Sequence, residues 1–201
     1  SDLPELPEGW CWVSLEACSD LITKGESPNW QGFDYVEDGI LFIRSENVLW
    51  RKLEYSDAVK IPLKFHEKLK RSQLKPKDVL VNLVGASIGR CAIVPEQLAT
   101  ANMNQAVAAI RTNEALLPEY LVHFVVSPDA QDVLQGKKVE VARANISLGD
   151  LRQFLVPLAP LAEQRRIVAR IESLFGQAEA IERAVELARR RAEKVDQAVL
   201  A

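Results

Sequence analysis

The sequence predicts a mixed α/β (α+β) fold: a mostly β-containing domain over residues 1–159, followed by a long C-terminal coiled-coil helix over residues 160–201. Two observations support this division. Short segments of alternating or β-branched apolar residues, separated by Gly and Pro, fill most of the first part. From residue 162 onwards the chain has no proline, a single glycine, Gly176, and abundant Ala, Glu and Arg, which favours one uninterrupted helix.

The N-terminal elements follow from local patterns. GWCWVSL alternates like a strand, and LEACSDLI has the apolar spacing of a short helix. TKGESPNWQG is predicted to be a loop. GILFIRSENV predicts a strand from Ile40 that runs into a polar turn, and PLKFHEKLKRS predicts a short helix with Pro62 at its start.

The middle of the chain contains clearer signals. DVLVNLVGASIGRCAIVP predicts a hairpin, because two β-branched runs flank Gly85 and Gly89, and NQAVAAIR predicts a further strand. SPDAQDVLQG has an N-cap serine, a proline and a terminal glycine, so it predicts a helix. Ser147 and Asp150 form a capping box at the start of another helix.

The segment FLVPLAPLAEQ joins the two parts. Pro157 predicts an edge strand or extended exit, because proline donates no ladder hydrogen bond, and Pro160 predicts the first turn of the long helix. Glu163 lies near the positive end of that helix, where a carboxylate is favoured.

Apolar residues of the long helix alternate spacings of four and three, which is a heptad seam and predicts pairing with a second helix. The predicted helix-pairing residues are Ile167, Ile171, Leu174, Ala178, Ile181, Val185, Ala188, Ala192, Val195 and Val199.

Composition excludes several classes of protein. No apolar run approaches the roughly 20 residues that cross a bilayer, and the opening SDLPELPEGW lacks the apolar centre of a signal peptide, so we expect a soluble, cytoplasmic protein. The net charge is −3, and residues 1–161 hold 17 basic and 21 acidic side chains, so binding of nucleic acid would depend on local charge. The three cysteines form no CxxC pair and are expected to be buried free thiols.

The motifs of an autonomous enzyme are missing. GASIG lacks the spacing and the lysine of a phosphate-binding loop, and the chain contains no Asn/Asp-Pro-Pro-aromatic tetrapeptide of the adenine methyltransferase type. His66 and His123 are far apart in sequence and form no metal-binding pair. We therefore predict a chain with no catalytic and no metal-ligating residues.

The junction PLAPLAEQRRIVARI resembles the signature that ends a target recognition domain and opens the spacer helix in specificity subunits of type I restriction-modification enzymes. Weaker similarities follow in the family's order, so the resemblance covers nearly the whole chain. They are LPEGWCWVSLEACSDLI, GILFIRSENV, KPKDVLVNLVGASIGRCAIV, NMNQAVAAIR and PEYLVHFVVSP.

The resemblance implies an α/β target recognition domain followed by a spacer helix. A complete subunit of this family carries two such domains, joined by two antiparallel helices, and each domain recognises one half of a split DNA target. This sequence holds one domain and one helix, so it is either half of a longer chain or a half-subunit that pairs with itself. The implied partners are double-stranded DNA, modification (methyltransferase) subunits that carry S-adenosylmethionine, and restriction endonuclease subunits that use ATP and Mg²⁺.

Candidate DNA-contacting residues fall in four polar segments, since bases and phosphates are bound by Arg, Lys, Asn, Gln and Ser. A loop and a turn supply Lys24, Ser27, Arg44, Ser45 and Asn47. A stretch from Lys60 to Lys77, in which Glu67 is the one acidic residue, supplies Lys68, Lys70 and Arg71. The hairpin turn and its neighbours supply Asn82, Ser87, Arg90, Asn102, Asn104 and Gln105, and a last segment supplies Lys137, Lys138 and Arg143.

Alternatives remain open for each segment. The loop is equally compatible with an ordinary solvated turn, and the basic stretch with a solvated helix face. The amides of the hairpin and its neighbours are equally compatible with buried groups that brace a turn. At the level of the whole chain, the acidic head favours an alternative function, a coiled-coil adaptor whose globular head binds protein rather than DNA.

Overall fold

The computed structural model describes residues 3–98, 100–136 and 145–199, with side chains described through residue 190. Contacts divide the chain into two units, Ser1–Gln164 and Arg165–Ala201. This division falls after Gln164 rather than after residue 159, because the first turn of the long helix belongs by its contacts to the globular unit. The predicted boundary between recognition domain and spacer helix stays a prediction.

Within the described residues, the globular unit contains three sheets. The first pairs β1 with β9, the second has the antiparallel order β2-β8-β5-β6, and the third has the order β4-β3-β7, in which β3 and β7 are parallel. The strands are β1 Cys11–Ser14, β2 Ser19–Lys24, β3 Ile40–Ile43, β4 Lys60–Ile61, β5 Val79–Asn82, β6 Cys91–Ile93, β7 Ala101–Met103, β8 Val107–Thr112 and β9 Leu155–Leu158.

Four short helices accompany these sheets, and a fifth, long helix continues from the globular unit into the second unit. They are α1 Leu63–Lys68, α2 Pro118–Val125, α3 Pro128–Leu134, α4 Leu148–Gln153 and α5 Leu161–Val199. Single turns of 3-10 helix cover Leu15–Cys18, Asn29–Gln31, Ser45–Asn47, Lys70–Ser72 and Gly85–Ser87. No described helix combines the length and the apolar character that crossing a membrane requires.

Several local predictions are confirmed. Strands β5 and β6 form the predicted antiparallel hairpin, and α1 begins directly after Pro62. The Ser127 hydroxyl accepts a hydrogen bond from the Ala130 amide at the start of α3. The capping box of α4 has both of its hydrogen bonds, from Asp150 N to Ser147 Oγ and from Ser147 N to Asp150 Oδ2. These signals succeed because capping and turn formation depend on neighbours in sequence.

Two predictions are wrong. LEACSDLI forms only one 3-10 turn and then strand β2, because residues from Ser19 onwards pair with distant β8. The three cysteines are free, as expected, but Cys11 is exposed, whereas Cys18 and Cys91 are buried. Burial raises the pKa of Cys18 to about 11 and that of Cys91 to about 12, so both buried thiols stay protonated at neutral pH.

The main core lies between the three-stranded and four-stranded sheets. It combines Ile43 of β3, Met103 of β7, Leu80 of β5 and Val107 of β8, all fully buried. A second cluster of Phe42, Ile61 and Phe65 joins α1 to the outer side of β3 and β4. The packing fixes α1 on the three-stranded sheet and thereby determines where the basic residues after it lie.

The predicted edge strand before α5 is confirmed, with Pro157 of β9 opposite Trp12 of β1. The carbonyl of Pro160 accepts hydrogen bonds from the amides of Glu163 and Gln164, at 2.8 and 3.0 Å, which starts the helix. The Glu163 carboxylate also accepts a hydrogen bond from Trp10 Nε1 at 3.0 Å. The start of α5 is therefore joined to the N-terminal segment of the chain.

The second unit is a continuous helix with an exposed apolar seam. Leu174, Ile181 and Val185 are 47%, 64% and 62% exposed, and Ala178 and Ala188 are exposed as well. Ile167 and Ile171 are half-buried. The side chains of Ala192, Val195 and Val199 lie outside the described side chains. An exposed row of this length matches the surface that the heptad pattern predicts for pairing.

Candidate nucleic-acid interface

The structure brings residues of two of the predicted polar segments together in one cleft. Lys24 ends β2, Lys68 ends α1, and Lys70 and Arg71 lie in the 3-10 turn that follows; all four side chains are exposed. They line a cleft of about 420 Å³, which we call the basic cleft. Its other lining residues are Thr23, Glu26, Leu69, Ser72 and Leu148.

The electrostatics of the basic cleft favour a polyanion. Four cationic side chains line the cleft. Among the described residues that line it, Glu26 is the only acidic one. Other lysines of the same stretch have acidic neighbours outside the cleft: Lys60 lies 3.6 Å from Asp38 and Lys77 lies 3.9 Å from Glu96. The local charge of the cleft is thus positive although the whole chain is acidic.

Lys68 connects the basic cleft to the loop between β2 and β3. Its ammonium group donates a hydrogen bond to Gln31 Oε1 and lies 6.0 Å from the centre of the Phe33 ring. Gln31 in turn donates to Glu26 Oε2 at 2.6 Å. The loop and the cations therefore form one continuous surface. Ser27, predicted on the same loop, is half-buried.

A second set of predicted residues forms a connected group, which we call the turn cluster: Arg44, Ser45, Asn47, Asn82, Ser87 and Arg90. The Asn82 amide donates to the carbonyls of Ser45 and Val48, at 2.8 and 3.3 Å, and its backbone donates to the Arg90 carbonyl at 2.9 Å. Asn47 Oδ1 accepts from the Arg44 amide at 2.9 Å. These bonds join the turn after β3 to the turn of the β5–β6 hairpin.

The guanidinium groups of the turn cluster are partly free of protein partners. Arg44 is paired with Glu46 at 2.5 Å and lies 5.8 Å from the centre of the Tyr35 ring. The Nε atoms of Arg44 and Arg90, and Oδ1 of Asn82, are buried and have no hydrogen-bond partner among the described residues. Buried polar atoms are normally paired, so this concentration is unusual and coincides with the predicted contact residues.

Three of the predicted amides are buried. Asn82 and Asn102 are both 0% exposed, and Asn47 is 8% exposed, so each is enclosed by protein in this conformation. Asn102 Nδ2 donates to the Leu69 carbonyl at 3.3 Å and lies 3.5 Å from His66 Nδ1. This burial agrees with the alternative that the sequence left open for Asn82 and Asn102, amides that brace a turn, whereas the alternative for Asn47 was a solvated turn. Their hydrogen bonds brace the structure around the cleft and within the turn cluster, and a contact of these amides with DNA stays a prediction.

The remaining predicted residues have mixed positions. Ser87 Oγ donates to the Val84 carbonyl at 3.2 Å, and Asn104 Oδ1 accepts from the Ala106 amide at 3.1 Å. Gln105 is half-buried. Lys137, Lys138 and Arg143 lie outside the described residues.

Buried polar side chains beneath these surfaces escaped sequence reasoning. Burial lowers the pKa of His66, against an opposing effect of Glu67, so the imidazole beside Asn102 is neutral at pH 7. Gln131 of α3 donates to the carbonyls of Gly89 and Val125 at 3.0 and 2.7 Å. Gly89 has φ +80°, and a Cβ there would lie 2.5 Å from the Gln131 amide. Nothing in the local sequence signals the Gln131 contact, because it joins residues distant in sequence.

The described residues contain no group of three or more His, Cys, Asp or Glu side chains that could hold a metal ion. The polar side chains that the fold brings together are lysines, arginines and amides. This chemistry suits binding of phosphates and base edges.

A family model described as the type I restriction modification DNA specificity domain matches residues 22–187. The chain belongs to this family. It is 34% identical to the type I restriction enzyme EcoBI specificity subunit of Escherichia coli, over 98% of this chain and 41% of the relative. The chain thus spans less than half the length of that curated relative.

Two solved structures share the fold. The HsdS subunit from Thermoanaerobacter tengcongensis matches with a TM-score of 0.67 and 25% identity, over 92% of this chain and 42% of that chain. A chain from a study of complex assembly and conformational transition of a type I R-M system matches with a TM-score of 0.73 and 23% identity, over 98% of this chain and 46% of that chain.

These matches confirm the predicted α/β domain with a long C-terminal helix and the predicted family. They do not support the alternative of a coiled-coil adaptor with a protein-binding head, since the matched specificity domain includes most of the globular unit and most of the described helix.

Proposed function

We propose that this chain is the DNA-recognition half of a type I restriction-modification specificity subunit. It recognises one half of a split DNA target and performs no catalysis itself. The observation that carries the proposal is the basic cleft, together with the turn cluster, in a chain of the DNA specificity family. In this arrangement the cleft binds phosphates, which gives affinity, and Arg44 and Arg90 contact base edges, which gives sequence preference.

Helix α5 is the spacer in this proposal. Its 39 residues extend roughly 58 Å at ~1.5 Å per residue, which is longer than one turn of duplex DNA. The exposed seam pairs with an antiparallel helix, supplied by a second copy or by the second half of a longer chain. A stiff helix pair holds two recognition domains at a fixed distance, which a flexible linker does not. Pairing of two identical copies favours a palindromic split target.

The remaining partners follow from the family. Modification subunits would bind the specificity subunit and supply S-adenosylmethionine for methylation of adenine, and restriction endonuclease subunits would add the dependence on ATP and Mg²⁺. The assembly is expected in the cytoplasm. Mapping methylated adenines in the host with and without this gene tests the proposal directly: loss of methylation at one split motif is the expected result, and an unchanged pattern would refute it.

The basic cleft gives a first prediction about DNA binding. Removing Lys70 and Arg71 together, as K70A/R71A, should weaken binding to duplexes of any sequence. The fall of log affinity with log salt should become less steep by about two, because each phosphate contact releases about one counterion. The measurement is fluorescence anisotropy of the assembled complex on random-sequence DNA over a range of salt. K52A/K75A is the matched control, since it removes two exposed cations outside the cleft. Equal slopes in both variants would remove the cleft from the interface.

The turn cluster gives a second prediction, in which base discrimination changes and the salt dependence of binding does not. Arg90→Lys keeps the charge but loses the planar pair of donors that matches guanine, so discrimination at one base pair should fall by about 10- to 100-fold. The salt slope should stay that of the wild type. Binding to a panel of single-base variants of the mapped target tests this, and an equal loss on every variant would show that Arg90 contacts phosphate or nothing.

A further inference from the structure

Trp30 is the most exposed large apolar side chain among the described residues, with 77% of its surface accessible. It lies on the 3-10 turn Asn29–Gln31, between β2 and β3. Tryptophan has the largest apolar surface of any side chain and is usually packed against protein, so an indole left in solvent marks a contact surface.

The turn that carries Trp30 is held in place on both sides. The Pro28 carbonyl accepts hydrogen bonds from the amides of Gln31 and Phe33, at 2.9 and 3.0 Å. The loop leaves β2 at Gly25, where a Cβ would lie only 1.7 Å from the Met103 carbonyl oxygen, so the backbone passes directly against β7. The exposure of Trp30 therefore belongs to an ordered turn.

Trp30 also lies next to the basic cleft. The neighbouring residue Gln31 bonds to Lys68 and to Glu26, which both line the cleft, and Phe33 lies beside the same lysine. An exposed indole beside a row of cations is complementary to the two chemistries of nucleic acids. The indole packs against aromatic bases, and the cations bind phosphates. The positive charge of the cleft selects this partner over an apolar protein surface.

We propose that Trp30 contacts DNA by packing its ring against the base stack, as a wedge at a base step next to the phosphates held by the basic cleft. This inference rests on the proposed function and adds to it an apolar contact whose free energy depends on how easily the duplex is deformed at that step. Apolar wedges enter most easily at flexible pyrimidine–purine steps, so Trp30 contributes preference for such a step without hydrogen bonds to bases.

The test compares Trp30→Ala and Trp30→Phe in the assembled complex. Loss of the ring in Trp30→Ala should weaken binding by about 10- to 100-fold, which is the range for one aromatic–base contact, without changing the salt slope. Trp30→Phe should retain most of the affinity. Both variants should unfold at the wild-type urea concentration, because the side chain is exposed in the free protein.

Fluorescence supplies an independent measurement. The chain has four tryptophans, Trp10, Trp12, Trp30 and Trp50. Stacking on bases should quench part of the tryptophan emission when DNA is added. The quenching should persist in the control Trp50→Phe, which is also exposed, and disappear in Trp30→Phe.

The outcomes separate this inference from the function beneath it. Wild-type affinity and wild-type quenching in the Trp30 variants, with normal DNA binding by the complex, would overturn the wedge and leave the proposed function standing. Loss of the modification subunits from Trp30→Ala during purification, with DNA binding intact, would assign the ring to a protein contact and also overturn it. Absence of any DNA binding by the wild-type complex would overturn the proposed function and the wedge together.

Discussion

Two aspartates in the seam of α5, at Ile181 and Val185, should abolish helix pairing. These side chains are 64% and 62% exposed, and they recur at the heptad spacing, so pairing buries both on the same partner helix. A buried, unpaired carboxylate is strongly unfavourable. The expected result is that the chain sediments as a single copy at concentrations where the wild type self-associates.

The same I181D/V185D variant should lose tight DNA binding in the assembled complex. Two linked recognition domains bind more tightly than one, commonly by about 100-fold or more, because the second contact is intramolecular. A180D/L187D is the matched control: at 100° per residue these positions fall on the opposite face of α5, and both are exposed. If the control dissociates as readily as the seam variant, the aspartates act through helix stability and the seam does not pair.

Gln164→Leu should destabilise the globular unit by about 3 kcal/mol, a large fraction of the stability of an ordinary domain. Gln164 is 0% exposed in the first turn of α5. Its Oε1 accepts from the Leu117 amide at 2.9 Å, and its Nε2 donates to the carbonyls of Ala115 and Ala159, both at 2.8 Å. Leucine fills a similar volume but leaves these three backbone groups without partners.

Urea unfolding followed by circular dichroism measures this effect. Gln177→Leu is the control, since Gln177 lies on the same helix, is exposed and bonds only to Ser173 among the contacts described for it, so its replacement should change stability by less than about 0.5 kcal/mol. Equal midpoints for the two variants would mean that water replaces the lost hydrogen bonds at Gln164 and that this glutamine does not hold the helix start.

The junction motif thus has a physical explanation. Pro157 and Pro160 direct the chain from the β1–β9 sheet into the helix. Glu163 binds Trp10, and Gln164 binds the loop before α2. In PLAPLAEQRRIVARI, two adjacent polar residues therefore connect the beginning of α5 to separate parts of the globular unit, and the charged residues after them lie in the helix proper.

The candidate site was predictable in composition but not in arrangement. Lys68, Lys70 and Arg71 are visible as a basic run, yet sequence does not show that Lys24 lies across the same cleft, since that depends on α1 packing on β3. Asn82 and Arg90 look equivalent as polar turn residues. The fold makes Asn82 a fully buried brace and leaves Arg90 half-buried at the turn.

The sequence by itself indicated helices α1, α3, α4 and α5, the β5–β6 hairpin, the family and the heptad seam, because caps, turns, prolines and periodicity act between near neighbours. Only the tertiary structure decided that residues from Ser19 form a strand and that Ala101–Met103 pairs in parallel with β3. It also decided which amides are enclosed and which cations share a cleft. These properties come from pairing and burial between distant segments, and a local pattern of residues does not show which segments pair.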